Sequence, residues 1–314
     1  MTEVWKNKAR SAQMTMRQLE AFDSVMKMGL VSAAARDLAL SQPSVTRLIL
    51  DLERAVGFAL FSREKKRLVP TVEGHHFAEE VDRSFNGLAR LTRFAEDIRN
   101  LRNGSLRLAV MPALSFGAVP RAISKQNAAM PDVSILCEQR SSEGVLRAVS
   151  AGDVDLGVAL DGVNHPGVLS AGRYHATCVC VMPEGHPLAS RDTIKPGDLR
   201  SLPRVALPHY TSVSVQVNKV LLDAGVDPRP RVEALVSSMA CAMVAEGLGV
   251  SVLDPFTARS FMGRGIVSVP FIPDIAFDFR IVVSTQRSLS RIAASFIENL
   301  IGEFSADPLV DLVN

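Results

Sequence analysis

Residues 41–47 read SQPSVTR, and they carry hydrogen-bonding groups that fit the edges of DNA bases. A glutamine can bridge N6 and N7 of adenine, an arginine can reach guanine or a phosphate, and hydroxyl groups can serve either partner. Ser41 can cap a helix whose first turn holds Gln42 and Pro43, a position where proline is tolerated. The stretch therefore predicts either a surface that reads DNA or the solvated start of an ordinary amphipathic helix.

The rest of this helix indicates which of its faces is buried. Apolar residues recur at steps of four, three and four, the helical spacing of a core-facing stripe, at Val45, Ile49, Leu52 and Val56. Polar residues occupy another face near the start of the helix, namely Gln42, Ser44, Thr46 and Arg47. A helix whose apolar stripe packs against the core while its N-terminal turn stays exposed has the form of a recognition helix in a major groove.

The neighbouring segments predict a small helical head with a basic wing. Upstream, a helix that starts at Met16 ends at Gly29, and Ser32 can cap a second short helix. Downstream, FALFSREKKRLVPT at 58–71 holds two short strand-like runs around a charged tip. Phosphate contacts from such a wing position a protein on DNA without specifying sequence. The basic residues of the tip are Arg63, Lys65, Lys66 and Arg67.

The net charge of +2 is unevenly distributed along the 314 residues. Residues 1–71 hold 12 Lys and Arg against 7 Asp and Glu, a balance of +5, and the remainder of the chain has a balance of −3. This asymmetry favours an anionic partner for the head. The single Trp and two Tyr disfavour an aromatic platform for sugars or single-stranded nucleic acid.

The sequence shows no pattern typical of an enzyme, a cofactor site or a metal site. HExxH, GxSxG and P-loop motifs do not occur, and GLGVS at 247–251 falls at the end of a predicted helix. The cysteines form no CxxC pair, which predicts reduced, packed thiols and leaves a redox switch as the alternative. They are Cys137, Cys178, Cys180 and Cys241.

The start of the chain predicts a cytoplasmic protein. MTEVWKNKAR lacks the apolar segment of a signal peptide, and no run approaches the ~18 apolar residues of a membrane span. We expect residues 1–15 to form a flexible extension, with Met14 or Met16 as alternative translation starts.

Residues 72–102 contain no proline and predict one long helix. Its seam positions alternate steps of four and three over about three heptads, at Phe77, Val81, Ser84, Leu88, Leu91, Ala95 and Ile98. A helix of thirty residues spans about 45 Å, and a single apolar face of that length requires a partner. We expect the helix to pair two subunits, although it could instead pack on its own domain. RNG at 102–104 predicts the hinge that ends it.

From Ser105 the sequence alternates strand and helix patterns, which is typical of α/β units with mostly parallel sheets. Two features favour two lobes over one doubly wound domain. VCVMPEGHPLA at 179–189 breaks after a strand and predicts a crossover between lobes. The late strand FDFRIVVST at 277–285 and the final amphipathic helix predict a return to the first lobe.

Hydroxyl residues lie at four turns where predicted helices begin after strands. Ligands of open α/β sheets bind at the carboxyl ends of strands, and helix N-termini there offer free N–H groups to an anion. Each hydroxyl alone could be an ordinary cap, but four such turns favour a cleft that binds a carboxylate. The residues are Ser115, Ser141, Ser142, Thr211, Ser212, Ser237 and Ser238.

Three stretches within residues 16–75 follow a long, ordered pattern, namely MRQLEAFDSVMKMGLVSAAARDLALSQPSVTR, DLERAVGFALFSR and LVPTVEG. They resemble the DNA-binding domain of LysR-type transcriptional regulators. The resemblance implies that the major groove is contacted by Ser41, Gln42, Pro43, Ser44, Thr46 and Arg47. It also implies that Ser32 holds a phosphate and that Arg63 and the basic tip grip the DNA backbone. Leu50 departs from the pattern, because many relatives carry Lys or Arg there.

The resemblance covers nearly the whole chain from Met16 and implies its architecture. An N-terminal winged helix-turn-helix would occupy residues 16–75, followed by a linker helix and hinge at 76–104 and an α/β effector-binding domain at 105–314. That domain would resemble the two-lobed type 2 periplasmic binding proteins and bind an inducer in its cleft. Lobe one would take 105–177 and 273–314, and lobe two would take 178–272.

The resemblance also implies the partners of the protein. These are double-stranded operator DNA, a small effector, RNA polymerase, and further copies of the chain in a homodimer through the linker helix and a homotetramer. No membrane partner and no cofactor are implied. A stand-alone solute-binding protein or an enzyme is an alternative that would leave the head unexplained.

Three stretches of the body are similar to one branch of the family, namely VMPALSFGAVP, SSMACAMVAEGLGVSVLDPFTA and FIPDIAFDFRIVVS. That branch contains LysR itself and the octopine and nopaline regulators, which sense diaminopimelate or basic amino-acid derivatives. The similarity implies an amino-acid-like effector with its carboxylate at Ser115 and a cationic group elsewhere. The candidate acidic partners are Glu138, Glu143 and Asp161, and His209 and Tyr210 could line the same opening.

Overall fold

The computed structural model describes residues 14–64, 67–99 and 104–313. Within it the chain separates into two compact units, which divide between residues 95 and 96. Three predicted features lie outside the described residues. They are residues 1–13 of the N-terminal extension, the wing lysines Lys65 and Lys66, and residues 102–103 of the hinge.

The first unit holds three short helices, a hairpin and the beginning of a long helix. Helix α1 is Met16–Met28, α2 is Val31–Asp37 and α3 is Gln42–Val56. Strands β1 (Phe61–Glu64) and β2 (Arg67–Pro70) form an antiparallel hairpin, and α4 is Val72–Arg99. The predicted helices and wing are therefore all present in this unit.

Local signals define the ends of α1 and α3. The hydroxyl of Thr15 accepts from the Gln18 amide at the start of α1, and Gly29 ends that helix with φ at 68°. Gly57 ends α3 with φ at 84°. Glycine adopts this left-handed conformation without the steric penalty that other residues meet, which is why both helices end there.

Helix α2 begins two residues earlier than the predicted cap requires. Its N-cap is Leu30, which makes no side-chain hydrogen bond, and Ser32 lies inside the first turn. The prediction that Ser32 caps this helix is therefore wrong. Because Val31 already has helical geometry, the Ser32 hydroxyl is not needed to hold the start of α2.

The core of the first unit joins all of its elements. Val45, Ile49 and Leu52 of α3 are buried, as the stripe predicts, and Val56 packs partly buried against them. The Phe22 ring contacts Phe61 at 5.6 Å between ring centroids. The helical head is therefore closed by apolar contacts from the hairpin as well as between helices.

The first apolar residues in the predicted seam of α4 pack into the core of the first unit. Val81 is buried and Phe77 packs partly buried in the core of the first unit. Farther along, Leu88 and Leu91 are exposed, by 47% and 61%. The side chains of Ala95 and Ile98 are not among those that the structure describes. Two of the seam residues thus stabilise the head, and the exposed pair follows them.

The second unit contains two sheets of different construction, one in each lobe. Lobe one has a six-stranded sheet in the order β13-β6-β12-β5-β3-β4. Its strands are Ser105–Val110 (β3), Ser134–Gln139 (β4), Leu156–Leu160 (β5), Val168–His175 (β6), Phe279–Ser284 (β12) and Asp311–Val313 (β13). Its helices are Ala118–Ala129 (α5), Ser142–Ala151 (α6) and Arg291–Ser305 (α10), and a 3₁₀ turn at Pro112–Ser115 follows β3.

Lobe two has a three-stranded sheet in the order β10-β7-β11 and a separate pair, β8 and β9. Its strands are Val179–Pro183 (β7), Val205–Ala206 (β8), Val232–Glu233 (β9), Ser251–Leu253 (β10) and Ile266–Pro270 (β11). Its helices are Ser212–Asp223 (α7), Ser237–Ala245 (α8) and Pro255–Phe261 (α9), with 3₁₀ turns at Pro187–Ser190 and Pro196–Leu199. None of the helices in the described part of the chain is long and apolar enough to cross a membrane.

The prediction of mostly parallel sheets is wrong. Among the named strands of the described second unit, β3 with β4, β3 with β5 and β8 with β9 pair in parallel, whereas the pairs of β12, β13, β7, β10 and β11 are antiparallel. The physical reason is the double crossing between lobes. The chain returns to lobe one as β12, which inserts between β5 and β6 in the opposite direction to both.

The chain crosses between the lobes at 176–178 and again at 275–277. These two segments pair with each other and form the interlobe hinge, which is distinct from the predicted hinge at 102–104. The amide of Phe277 donates to the Ala176 carbonyl at 2.8 Å, and the Cys178 amide donates to Ile275 at 2.9 Å. Gln216 of α7 braces the second segment through two hydrogen bonds with the Ala276 backbone, each 3.0 Å long. The crossover lies just before β7, upstream of the polar break that suggested it.

An aromatic cluster fills the core beside this hinge. The fully buried Phe279 ring lies 5.3 Å from Tyr174 and 5.0 Å from Phe304, both in lobe one. Phe256 of lobe two lies 5.6 Å away. Burial raises the pKa of the Tyr174 phenol to about 12. This cluster therefore joins both lobes at the point where the chain crosses between them.

Candidate functional site

The first turn of α3 is held by its own hydroxyl groups. The Ser41 hydroxyl accepts from the Ser44 amide at 3.2 Å and lies 2.8 Å from the Ser44 hydroxyl. The Thr46 hydroxyl donates to the Gln42 carbonyl at 3.0 Å. Ser41 thus caps the helix, as the sequence predicts, and the hydroxyl groups hold the turn without burying it.

The polar face of α3 points away from the core. Gln42, Pro43, Ser44 and Arg47 are exposed, and Thr46 is partly buried. The Arg47 side chain is 86% exposed, and its Nε lies 3.8 Å from the Asp51 carboxylate. A pair this exposed contributes little energy, so the guanidinium is available to another anion. Leu50 is 42% exposed, and the core does not require it.

Glu53 positions the wing, a role that the sequence analysis did not identify. The amides of Leu60 and Phe61 both donate to its Oε1, at 2.8 and 3.1 Å. The carboxylate therefore fixes the start of β1 to α3. Its place on the helix between Leu52 and Val56 offered no local signal of a contact with a strand.

The wing places Arg63 and Arg67 on the two strands of one hairpin. In β1 Arg63 pairs with Leu68, and in β2 Arg67 pairs with Glu64 across the hairpin. Lys65 and Lys66, which come between these strands in the sequence, lie outside the described residues. Ser32 is partly buried in the first turn of α2, with no side-chain acceptor at that helix start.

In lobe one, two of the predicted hydroxyl groups converge on Met111. The Ser115 hydroxyl donates to the Met111 carbonyl at 3.4 Å, and the Ser142 hydroxyl lies 3.9 Å from the Met111 sulfur. Ser142 also accepts from the Leu160 amide at 3.1 Å, and Ser141 caps α6 by accepting from the Gly144 amide at 3.2 Å. These serines therefore share one edge of the sheet, at the carboxyl ends of β3 and β5.

In lobe two, the remaining candidates follow two neighbouring parallel strands. Thr211, which follows β8, caps α7 by accepting from the Ser214 amide at 3.3 Å, and exposed Ser212 begins the helix. Ser237 and Ser238 begin α8 after β9, where the N-cap Val236 makes no side-chain hydrogen bond. Because β8 and β9 pair in parallel, both helix starts lie at the same edge.

Two of the expected helix starts differ from the prediction. Ser115 ends a 3₁₀ turn instead of beginning a helix, and α5 starts at Ala118 after Gly117. Ser237 does not cap α8. Gly117 has φ at 75°, which only glycine adopts easily, and this kink separates the turn from α5.

The turn that carries Ser115 lies at the boundary of the two lobes. Pro112–Ser115 packs against α8 and α9 of lobe two. Beside it, the Phe116 and Phe261 rings meet edge to face at 6.4 Å. Arg259 of α9 binds both oxygens of Asp307 in lobe one, at 2.7 and 2.6 Å. The Ser115 turn is thus held between lobe one and two helices of lobe two.

The three candidate partners for a cationic group already face arginines. Glu138 lies 2.6 Å from Arg140, and Asp161 lies 3.4 Å from Nε of both Arg173 and Arg280. Glu143 lies 3.7 Å from Arg147, with both side chains exposed. His209 and Tyr210 are exposed beside Thr211, with ring centroids 5.6 Å apart.

Two cavities in the second unit lie away from these candidates. One of about 330 Å³ is in lobe one, between the segment that precedes β5 and the start of α10, and includes Asp155 and Arg287. The other, of about 20 Å³, is in lobe two and includes Arg204 and Ser251. Neither is lined by the seven predicted hydroxyl residues.

The cysteines are all free, and three of them are buried. Burial raises the pKa of the Cys180 and Cys241 thiols to about 12, and it raises the pKa of Cys178 well above its usual value. The expectation that all four are packed is wrong for Cys137, which is exposed on β4, although burial of its sulfur also raises its pKa. Raised pKa values disfavour the thiolate, which is the reactive form of a cysteine.

The described part of the chain contains no group of three or more His, Cys, Asp or Glu side chains arranged to hold a metal ion.

Comparison with known protein families gives two matches that together span most of the chain. Residues 16–75 match the family described as bacterial regulatory helix-turn-helix protein, lysR family. Residues 99–305 match the LysR substrate binding domain. The second match alone covers more than half of the chain.

Among curated proteins, three similar regulators are each 33% identical to this chain. Regulatory protein NocR of Agrobacterium fabrum aligns over 93% of this chain and 97% of its own length. Transcriptional activator protein LysR of Escherichia coli aligns over 94% of both chains. The octopine catabolism/uptake operon regulatory protein OccR of Rhizobium meliloti aligns over 93% of this chain and 96% of its own.

Among solved structures, full-length CbnR complexed with its target DNA shares the fold. The TM-score is 0.68 at 20% sequence identity, and the match covers 92% of this chain and all of that one. At this identity the likeness concerns the fold alone.

Proposed function

The chain belongs to the LysR family of DNA-binding transcriptional regulators, and from that premise we propose which of its residues read DNA and which bind an effector. Operator contacts are assigned to the first turn of α3, to Ser32 and to the wing. Effector contacts are assigned to the hydroxyl groups between the two lobes. The proposed place of action is the cytoplasm, where the DNA is.

The exposed first turn of α3 is the observation that supports the DNA-binding assignment. Its apolar side is buried, while Gln42, Ser44 and Arg47 remain accessible. A side chain pair of Gln and Arg can distinguish adenine and guanine in the major groove. Ser32, together with Arg63, Lys65, Lys66 and Arg67, would contact phosphates, which fixes orientation without reading sequence.

Arg47→Ala is expected to weaken specific operator binding by about 1–3 kcal/mol, because the variant loses a direct base or phosphate contact. Binding would be measured by fluorescence anisotropy on the DNA upstream of the gene, after footprinting has located the operator. Arg54→Ala is the matched control, since Arg54 lies in the last turn of the same helix and also faces Asp51. Equal losses in the two variants would contradict the assignment.

The effector assignment is supported by the hydroxyl groups at the strand ends of both lobes. Ser115, Ser141 and Ser142 come from lobe one, and Thr211, Ser212, Ser237 and Ser238 come from lobe two. A carboxylate between them would accept hydrogen bonds from hydroxyl and helix N–H groups. OccR is a regulator of octopine catabolism and uptake by name. We therefore propose an amino acid or amino-acid derivative as the effector.

Effector binding would alter the angle between the lobes and so change how two heads engage one operator. Such a response requires different effector affinities in the two arrangements. We assign the homodimer contact to α4, whose exposed Leu88 and Leu91 offer an apolar seam. A homotetramer built from these dimers, and a contact with RNA polymerase, complete the proposed assembly.

Ser115→Ala is expected to reduce effector affinity at least tenfold while leaving operator affinity unchanged. A hydrogen bond from a hydroxyl to a carboxylate contributes about 1.5–3 kcal/mol, so its loss is measurable. The effector would first be found by thermal-shift screening of amino acids and octopine, because a bound ligand raises the melting temperature.

Ser190→Ala is the matched control for Ser115→Ala. Each serine ends a proline-initiated 3₁₀ turn, and each hydroxyl donates to a backbone carbonyl at 3.4 Å. Ser190 lies away from the proposed site and should leave effector affinity intact. Loss of both effector and operator binding in Ser115→Ala would indicate misfolding and contradict the prediction.

A further inference from the structure

Among the described residues, one ion pair joins the two lobes of the second unit, and neither the DNA-binding nor the effector assignment uses it. Arg259 of α9 in lobe two donates to both carboxylate oxygens of Asp307 in lobe one, at 2.7 and 2.6 Å. The Asp307 side chain is 1% exposed, and that of Arg259 is 38% exposed. The other ion pairs described in this unit each join two residues of one lobe. This pair is therefore the charged contact that a change in the angle between the lobes would strain.

Asp307 is anchored within lobe one by two further contacts. Its Oδ1 accepts from the Leu309 amide at 3.1 Å, and its Oδ2 lies 3.5 Å from Nη2 of Arg121 on α5. Arg121 in turn donates from Nε to Glu303 of α10 at 2.6 Å, and Lys125 lies 2.6 Å from the same Glu303 carboxylate. The Asp307 carboxylate therefore moves with lobe one, whereas its partner guanidinium moves with α9.

The ion pair lies beside the turn that carries Ser115. A Cβ atom added to Gly117 would lie 3.2 Å from Nη2 of Arg259 and 3.6 Å from Nη1 of Arg121. Both guanidinium groups thus lie against the backbone two residues after Ser115. Because α9 also packs on the Pro112–Ser115 turn, a shift of that turn would displace the guanidinium of Arg259.

The geometry of an arginine–aspartate pair makes it sensitive to rotation. Two parallel N–H···O bonds require the guanidinium and the carboxylate to face each other in one plane, so rotation of one lobe weakens both bonds together. Removal of one partner leaves the other charge buried and unpaired, which is strongly unfavourable. Separation of the lobes would instead let water solvate both groups, so the pair can open and form again.

We propose that Arg259 and Asp307 form an interlobe latch, an ion pair that resists rotation of lobe two about the interlobe hinge. The latch holds α9 on lobe one, and it opens when a shift of the Ser115 turn moves α9 away from Asp307. The inference rests on the proposed change in the angle between the lobes, and it names the contact that regulates this change.

Amide hydrogen exchange in the full-length, ligand-free protein would test the latch. The boundary segments are residues 112–116 and 255–262, which meet where the two lobes touch. In Arg259→Gln, which removes the charge, we expect these segments to exchange roughly tenfold faster or more, because local opening governs exchange. Exchange in β5, inside the sheet of lobe one, should stay unchanged. Arg259→Lys keeps the charge without the two-bond geometry and should give an intermediate rate.

Arg191→Gln is the matched control for Arg259→Gln. Arg191 lies 2.6 Å from Asp198, as close as the latch pair, but both of these residues belong to lobe two. Exchange of the boundary segments in Arg191→Gln should therefore match that of the wild type.

Asp307→Asn tests the other side of the latch. Asparagine keeps an oxygen that can accept from the Leu309 amide, so the variant removes the charge and retains this local contact. It should accelerate exchange of the boundary segments as Arg259→Gln does. Because the two residues act through each other, the double variant should exchange no faster than the faster single variant.

Equal acceleration of exchange in β5 and in the boundary segments would show a general loss of stability and overturn the latch. Unchanged exchange in Arg259→Gln, or additive effects in the double variant, would also overturn it. If Arg259→Gln does not fold, Arg259→Lys takes its place in the same comparison. The measurement uses no effector, so a thermal-shift screen without a ligand would contradict the effector function and leave the result on the latch standing.

Discussion

Phe279→Ala is expected to lower the free energy of unfolding of the second unit by about 3–5 kcal/mol, the range for removing a buried aromatic ring. The ring is fully buried and lies within 6.1 Å of the centroids of four other aromatic rings. Its loss would leave a cavity beside the hinge, where rings from both lobes meet. Closure of that cavity by neighbouring rings would place the result at the lower end of the range.

Urea unfolding followed by circular dichroism would measure this loss, with the transition of the second unit analysed separately from that of the head. Leu169→Ala is the control, because Leu169 lies on β6 of the same sheet and is 56% exposed. That variant should change the free energy of unfolding by no more than about 0.5 kcal/mol. A loss below about 1 kcal/mol in Phe279→Ala would show that this cluster does not hold the unit together.

Leu52→Ala is expected to destabilise the head by about 2–5 kcal/mol, because Leu52 is fully buried among the three helices. Operator binding should fall steeply, since α3 presents its first turn only when its apolar stripe is packed. Effector binding by the second unit should persist, since that unit has its own core. Urea unfolding, operator anisotropy and effector titration on the same preparation would test these expectations.

Leu50→Ala provides the matched comparison on the same helix. Leu50 is 42% exposed, so its truncation should alter the stability of the head by no more than about 0.5 kcal/mol. Similar losses in the two variants would mean that the stripe does not define the core. Loss of effector binding in Leu52→Ala would show that the two units depend on each other for folding.

Helix α3 shows how much of the head follows from local sequence. The four-three-four spacing from Val45 to Val56 predicts a buried stripe, and the structure confirms it. Ser41 caps the helix and Gly57 ends it, as short-range rules predict. Such features depend on residues within a few positions of each other, which a sequence pattern records directly. The N-cap of α2 lies two residues before Ser32, because local patterns locate helix starts only to within about one or two residues.

The sheets of the second unit were less predictable. The sequence patterns do not predict strands β6, β11 and β13, and β6 in particular includes Ser, Gly and Arg and has a single buried residue. Its strand conformation depends on pairing with β12, more than a hundred residues later in the chain. The direction of that pairing also decides that the sheet is mixed, which no local pattern records.

The features of the candidate sites likewise divide into those that local sequence predicts and those that depend on tertiary contacts. The sequence by itself determined the exposed polar turn of α3, the hairpin after it, the long helix and the hydroxyl groups near strand ends, because each depends on nearby residues and their spacing. Only the tertiary structure decided which acidic groups arginines neutralise, how Glu53 holds the wing, and that Ser115 meets lobe two. These contacts bring together residues from distant parts of the chain, which no local sequence pattern records.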